Sequence, residues 1–114
     1  MSTPFTPLSD ALSVAPQLDI SDMPAVKAAG FNSVIINRPD LEGGAGQPLS
    51  ADIIKAAEDA GLAAVYQPVI SGAMTQEDVN RFREHLDSLP KPILAFCRTG
   101  TRCTHLYNAV KQTS

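Results

Sequence analysis

A chain of 114 residues with 44% hydrophobic content is long enough for one domain with its own core, without metal or disulfide staples. A net charge of −3 and no basic run exclude nucleic acid as a partner, and the apolar runs are too short to span a membrane. Two cysteines make no disulfide framework, and the start, MSTPFTPLSD, lacks the basic and apolar regions of a secretion signal, so a reducing cytoplasm is the expected location.

In chain order, Pro4, Pro7 and Pro16 interrupt the first segment, where Leu8 to Val14 reads as a strand or a hairpin about Ser9-Asp10. Ser21 or Asp22 is placed to cap a helix with Pro24 in its first turn; Met23, Val26 and Ala29 share its inner face, and Gly30 ends it. Phe31 to Asn37 holds the β-branched run of a buried strand, closed by Asn37-Arg38-Pro39-Asp40 and a glycine-rich loop to Pro48. Ser50 is expected to cap a second helix, Ala51 to Ala60. Leu62 to Val69 is the next strand and Ser71-Gly72 a loop. Thr75 caps a third helix, with Asp78 at the acidic position of a capping box and Val79, Phe82, Leu86 and Leu89 on its apolar face. Pro90-Lys91-Pro92 stops it; a strand over 92–96, a loop over 97–102 and a helix from Thr104 to Lys111 complete the chain.

Strands alternating with helices predict an α/β fold: one domain over residues 1–114, with a central, mostly parallel sheet of about four or five strands flanked by helices. Ligands of such sheets bind at the carboxyl ends of the strands. Three polar loops should meet there, over 37–40, 68–74 and 97–102.

The chemistry is concentrated in Cys97-Arg98-Thr99-Gly100-Thr101-Arg102. A cysteine at a strand end, before a short loop and a helix N-terminus, faces backbone N–H groups and the positive end of the helix dipole. Both lower its pKa and favour the reactive thiolate. Gly100 permits a positive φ that brings amides close to a ligand. Arg102 and Arg98 offer planar forks for phosphate or sulfur oxyanions, and Thr99 and Thr101 offer hydroxyls. The pattern predicts a covalent intermediate on Cys97, with Arg102 as its partner in catalysis. Arg38, Asp40 and Ser71 are candidate substrate contacts from the neighbouring loops, although Asp40 reads more simply as a turn residue and Asp78 as a cap. His85 and His105 read as boundary and solvated residues. Cys103 is either a resolving thiol or a plain helical residue; the plain reading leads, because the loop is expected to hold the two Cα atoms apart. Cys and His do not cluster at metal spacing, and Gly43, Gly44 and Gly46 lack a phosphate-loop lysine, so neither metal nor cofactor is expected.

Four runs, Leu12 to Gln17, Asn37 to Asp40, Pro68 to Gly72 and Cys97 to Arg102, together resemble the phosphatase-like domain of beta-lactamase-hydrolase-like proteins. The resemblance covers nearly the whole chain. It implies a tyrosine-phosphatase-like fold and possible association with a persulfide dioxygenase-type enzyme, and some members of the family are named sulfurtransferases. Tyrosine and dual-specificity phosphatases place arginine six residues after cysteine, where this chain has Cys103. The C-x4-R spacing to Arg102 is similar to the rhodanese loop and implies a smaller cradle. Spacing thus favours a sulfurtransferase working through a Cys97 persulfide; a phosphatase working through a phosphocysteine is the alternative. The expected substrate is a small oxyanion or persulfide, or else a phosphoester.

Overall fold

The computed structural model describes residues 5–113. Its sheet has five strands: β1 (Thr6–Pro7), β2 (Leu12–Ala15), β3 (Ser33–Ile36), β4 (Ala63–Tyr66) and β5 (Ile93–Phe96), in the order β1-β2-β5-β3-β4. Only β1 runs antiparallel, as the outer arm of a hairpin whose turn is held by Ser9 Oγ, which accepts from the N–H groups of Ala11 and Leu12 at 3.1 Å. The other strands are parallel, and Ala15, Phe96, Ile36 and Tyr66 lie in register at their carboxyl ends.

Four helices cover the two faces: α1 (Met23–Ala28), α2 (Ser50–Asp59), α3 (Gln76–Ser88) and α4 (Thr101–Thr113). Alternation along the strands divides the core. Leu12, Val14, Ile35, Ile93 and Ala95 point to one side and pack with Val79, Phe82, Leu106 and Val110 of α3 and α4. Ala15, Val34, Ile36, Leu94 and Phe96 point to the other and pack with Met23, Val26, Ile53 and Ala57 of α1 and α2. Period-2 strands buried on both faces are what a parallel sheet requires.

The expected α/β architecture is therefore present, with differences at element ends. The start of α1 is organised one turn earlier than expected: Asp19 and Asp22 form a capping box over a 3-10 turn, Ile20–Asp22. Ser50 is the first residue of α2 and not its cap; the Asp40 carboxylate accepts from its N–H at 2.7 Å and its hydroxyl at 2.8 Å. The Thr75–Asp78 capping box of α3 is present as expected. Helix α4 begins at Thr101, three residues earlier than the sequence suggests, so Arg102 and Cys103 lie in its first turn. The loop between β5 and α4 is only Cys97 to Gly100.

Candidate active site

Cys97 directly follows β5, and its N–H reaches Ala15 O at 3.4 Å. Arg98 O accepts from Gln17 N at 3.2 Å, tying the loop to the end of β2. Gly100 turns the chain with φ +90°, in the left-handed region expected of it, and lies against the Ala15 backbone. This turn sends the Gly100 N–H back to Cys97 Sγ at 3.1 Å. The amides of Thr99 and Cys103 also donate to that sulfur. Thr99 Oγ1 accepts from Thr101 N at 3.4 Å, and Thr104 Oγ1 donates to Gly100 O at 2.9 Å, closing the helix start.

The thiol is strongly acidic as a result. A hydrogen bond from the Cys103 thiol is the largest cause; burial opposes it, and the amides of Cys103, Thr99 and Gly100 add to it, leaving the pKa lowered from 9.0 to about 5. Cys103 moves the other way: burial first, then the hydrogen bond and charge of Cys97, push its thiol well up. The pair thus holds one thiolate and one thiol at neutral pH. The two thiols share a hydrogen bond, so Cys103 is more than the plain helical residue that the sequence favoured. The single S–H proton of Cys103 faces two acceptors, Cys97 Sγ and, at 3.2 Å, Asn37 Oδ1.

An open cleft of about 1050 Å³ lies over Cys97. Arg38, Ser71, Arg98, Thr99, Thr101 and Arg102 line it, so the three loops meet at one sheet edge as expected. Gly100 lines a smaller adjoining hollow of about 220 Å³ instead. Asp40 is not among the lining residues; its carboxylate is engaged with Ser50, and its N–H donates to the Tyr66 hydroxyl at 2.9 Å. The expected substrate contact is thus a structural cap for α2.

Glu42 is the group that the sequence did not reveal. Its Oε2 and Oε1 accept from Nη1 and Nη2 of Arg102, each at 3.1 Å, and Oε1 accepts from Arg38 Nε at 3.1 Å. Burial alone would raise the Glu42 carboxyl, but the hydrogen bonds and charges of Arg102 and Arg38 outweigh it and hold the group below its usual range. Arg102 Nη1 donates further to Val69 O at 2.9 Å, while Arg38 Nη1 reaches Gln17 Oε1 at 3.2 Å. Arg102 is 9% exposed in its side chain, and its Nε–H has no protein partner. One face of the guanidinium is therefore fixed, leaving a buried donor for an oxyanion. The i,i+4 spacing of Arg38 and Glu42 was the only trace of this network in the sequence. Ile70, Met74 and His105 also line the cleft. Among the described residues, no cluster of His, Cys, Asp or Glu could hold a metal ion. No helix of the described chain is long and apolar enough to cross a membrane.

Residues 4–114 match the model of the beta-lactamase hydrolase-like protein, phosphatase-like domain. A beta-lactamase hydrolase-like protein of Agrobacterium fabrum is 35% identical over 100 residues, covering 88% of this chain but only 23% of that protein. A candidate phosphatase of Neisseria meningitidis superposes with a TM-score of 0.83 at 37% identity, over 90% of this chain and 72% of that one. The core catalytic domain of a PP-IP phosphatase from S. cerevisiae shares the fold, with a TM-score of 0.68 at 11% identity over 97% of this chain and 76% of its own. These similarities favour the phosphatase expectation over sulfur transfer.

Proposed function

Because the chain belongs to the phosphatase-like domain family of beta-lactamase hydrolase-like proteins, we propose that it is a cysteine-dependent phosphohydrolase. The observation that carries this reading is the Cys97 thiolate, with a pKa of about 5, held by converging amides in a cleft that Arg102 also lines, its Nε–H without a protein partner. The thiolate attacks phosphorus in line, the bond to the leaving oxygen breaks, and a phosphocysteine forms. Arg102 Nε and the loop amides take the phosphoryl oxygens, where negative charge is held through the transition state. Water then attacks the phosphocysteine and restores the thiolate. Of the lining residues the one carboxylate, Glu42, is already paired with two arginines, while Asp40 and Asp78 serve helix starts. Aryl phosphates, whose leaving group departs without a strong acid, therefore suit the site best.

Sulfur transfer is the second reading, favoured by the C-x4-R spacing and by the lack of a free carboxylate to act as general acid. One experiment separates the two. Wild-type protein should hydrolyse p-nitrophenyl phosphate and yield an acid-stable phosphocysteine on Cys97 after rapid quenching, and Cys97→Ser should do neither. If thiosulfate adds one sulfur to Cys97 while no aryl phosphate is hydrolysed, the phosphohydrolase reading fails and the second replaces it.

A further inference from the structure

Phosphoryl transfer takes no electrons from Cys103, yet this free thiol is a hydrogen-bond partner of the nucleophile. It is 0% exposed, belongs to the same packed cluster as Cys97, and both its thiol and its backbone amide hydrogen-bond to the Cys97 sulfur. Cys97 lines the cleft whereas Cys103 does not, so a reagent entering the cleft meets Cys97 first and Cys103 lies behind it. We propose that Cys103 is a resolving thiol, closing an intramolecular disulfide with Cys97 when a hydroperoxide oxidises the nucleophile. The Cys97 thiolate attacks the O–O bond, giving a sulfenic acid and, after protonation, water or an alcohol. Cys103 then attacks the Cys97 sulfur as the S–O bond breaks, and its proton leaves with the hydroxyl as water. In sum, two thiols and one hydroperoxide give one disulfide, one water and one water or alcohol.

The arrangement favours this second step. A neutral sulfenic acid removes the Cys97 charge that helps hold the Cys103 proton in place, so oxidation of the first sulfur readies the second. Burial of Cys103 keeps other thiols from competing for it. The disulfide takes the thiolate out of the cleft and shields it from irreversible oxidation, and a small thiol reverses it. It is independent of whether the group transferred is phosphoryl or sulfur.

The test reads mass and connectivity, so it does not depend on any activity. Trypsin cuts after Arg83, Arg98, Arg102 and Lys111 but not between Lys91 and Pro92, so Cys97 and Cys103 fall in separate peptides, Glu84–Arg98 and Cys103–Lys111. Full-length protein treated with stoichiometric hydrogen peroxide should lose two hydrogens and yield these two peptides joined, and dithiothreitol should separate them and restore Cys97 alkylation. Cys103→Ser, or Cys103→Ala if the first variant fails to fold, should accumulate sulfinic acid on Cys97 roughly ten-fold faster than wild type and should not recover. The wild-type result stands without either variant. Sulfinic acid on wild-type Cys97 beside an unlinked Cys103, or a disulfide between two chains, overturns the proposal.

Discussion

Cys97 owes its acidity to a few donors, and each can be removed separately. Its rate of alkylation against pH should have a midpoint of about 5, the thiol being protonated and slow below it and the thiolate fast above it. Cys103→Ala removes the largest lowering influence and should raise the midpoint, while Cys103→Ser keeps a donor and should raise it less. A midpoint for Cys103→Ala equal to that of the wild type would show that the loop amides suffice. Arg102→Lys should lower kcat/KM for an aryl phosphate by at least about ten-fold, since one ammonium cannot hold both Glu42 oxygens, Val69 O and the anion. Steady-state kinetics at matched folding, followed by circular dichroism, checks this. The roles of Cys97, Arg102 and Gly100 were legible because they lie in one short loop whose chemistry is local. Glu42 was not, because its partner Arg102 is 60 residues away and only the fold joins them. Asp40 was ambiguous for a related reason: a carboxylate at a strand end serves a ligand or a helix start equally well, and only the position of Ser50 decides.

Among the elements, α3 announced itself most clearly. Its capping box and apolar stripe are both local, and both are present. Thr75→Ala should cost about 1 kcal/mol. Phe82→Ala empties a fully buried position between α3 and the sheet and should cost about 3–5 kcal/mol. Urea unfolding of each variant measures both, and a smaller loss for Phe82→Ala than for Thr75→Ala would contradict this packing. Helix α4 was harder to place. Thr101 and Cys103 are weak helix formers, and the Gly100 turn reads equally well as the middle of a loop. What starts the helix there is tertiary: Ala15 and Gln17 anchor the loop, and the Cys97 sulfur gathers its amides. The early start matters to the site, since it places Arg102 and Cys103 on a rigid first turn.

At the scale of the whole molecule, the strand order brings three distant loops together. β5 lies between β2 and β3, so the nucleophile loop is flanked by Gln17 on one side and by Asn37 and Arg38 on the other, with Val69 supplied from beyond β4. Strand and helix periodicity foretold such a sheet but not which loops would be neighbours, because register between strands is not a local property. The same convergence has an electrostatic consequence. Three guanidiniums and one carboxylate line the cleft, while the chain as a whole carries −3. The cleft is a positive focus on a negative body, so anions should be drawn to Cys97 against the average field. Salt should weaken that attraction, with a screening length of about 10 Å at ~0.1 M. Iodoacetate and iodoacetamide report it directly, for they alkylate the same sulfur and differ in charge. The ratio of their rates on Cys97 should fall steadily as sodium chloride is raised, and a constant ratio would mean that Glu42 neutralises the arginines as far as an approaching anion is concerned.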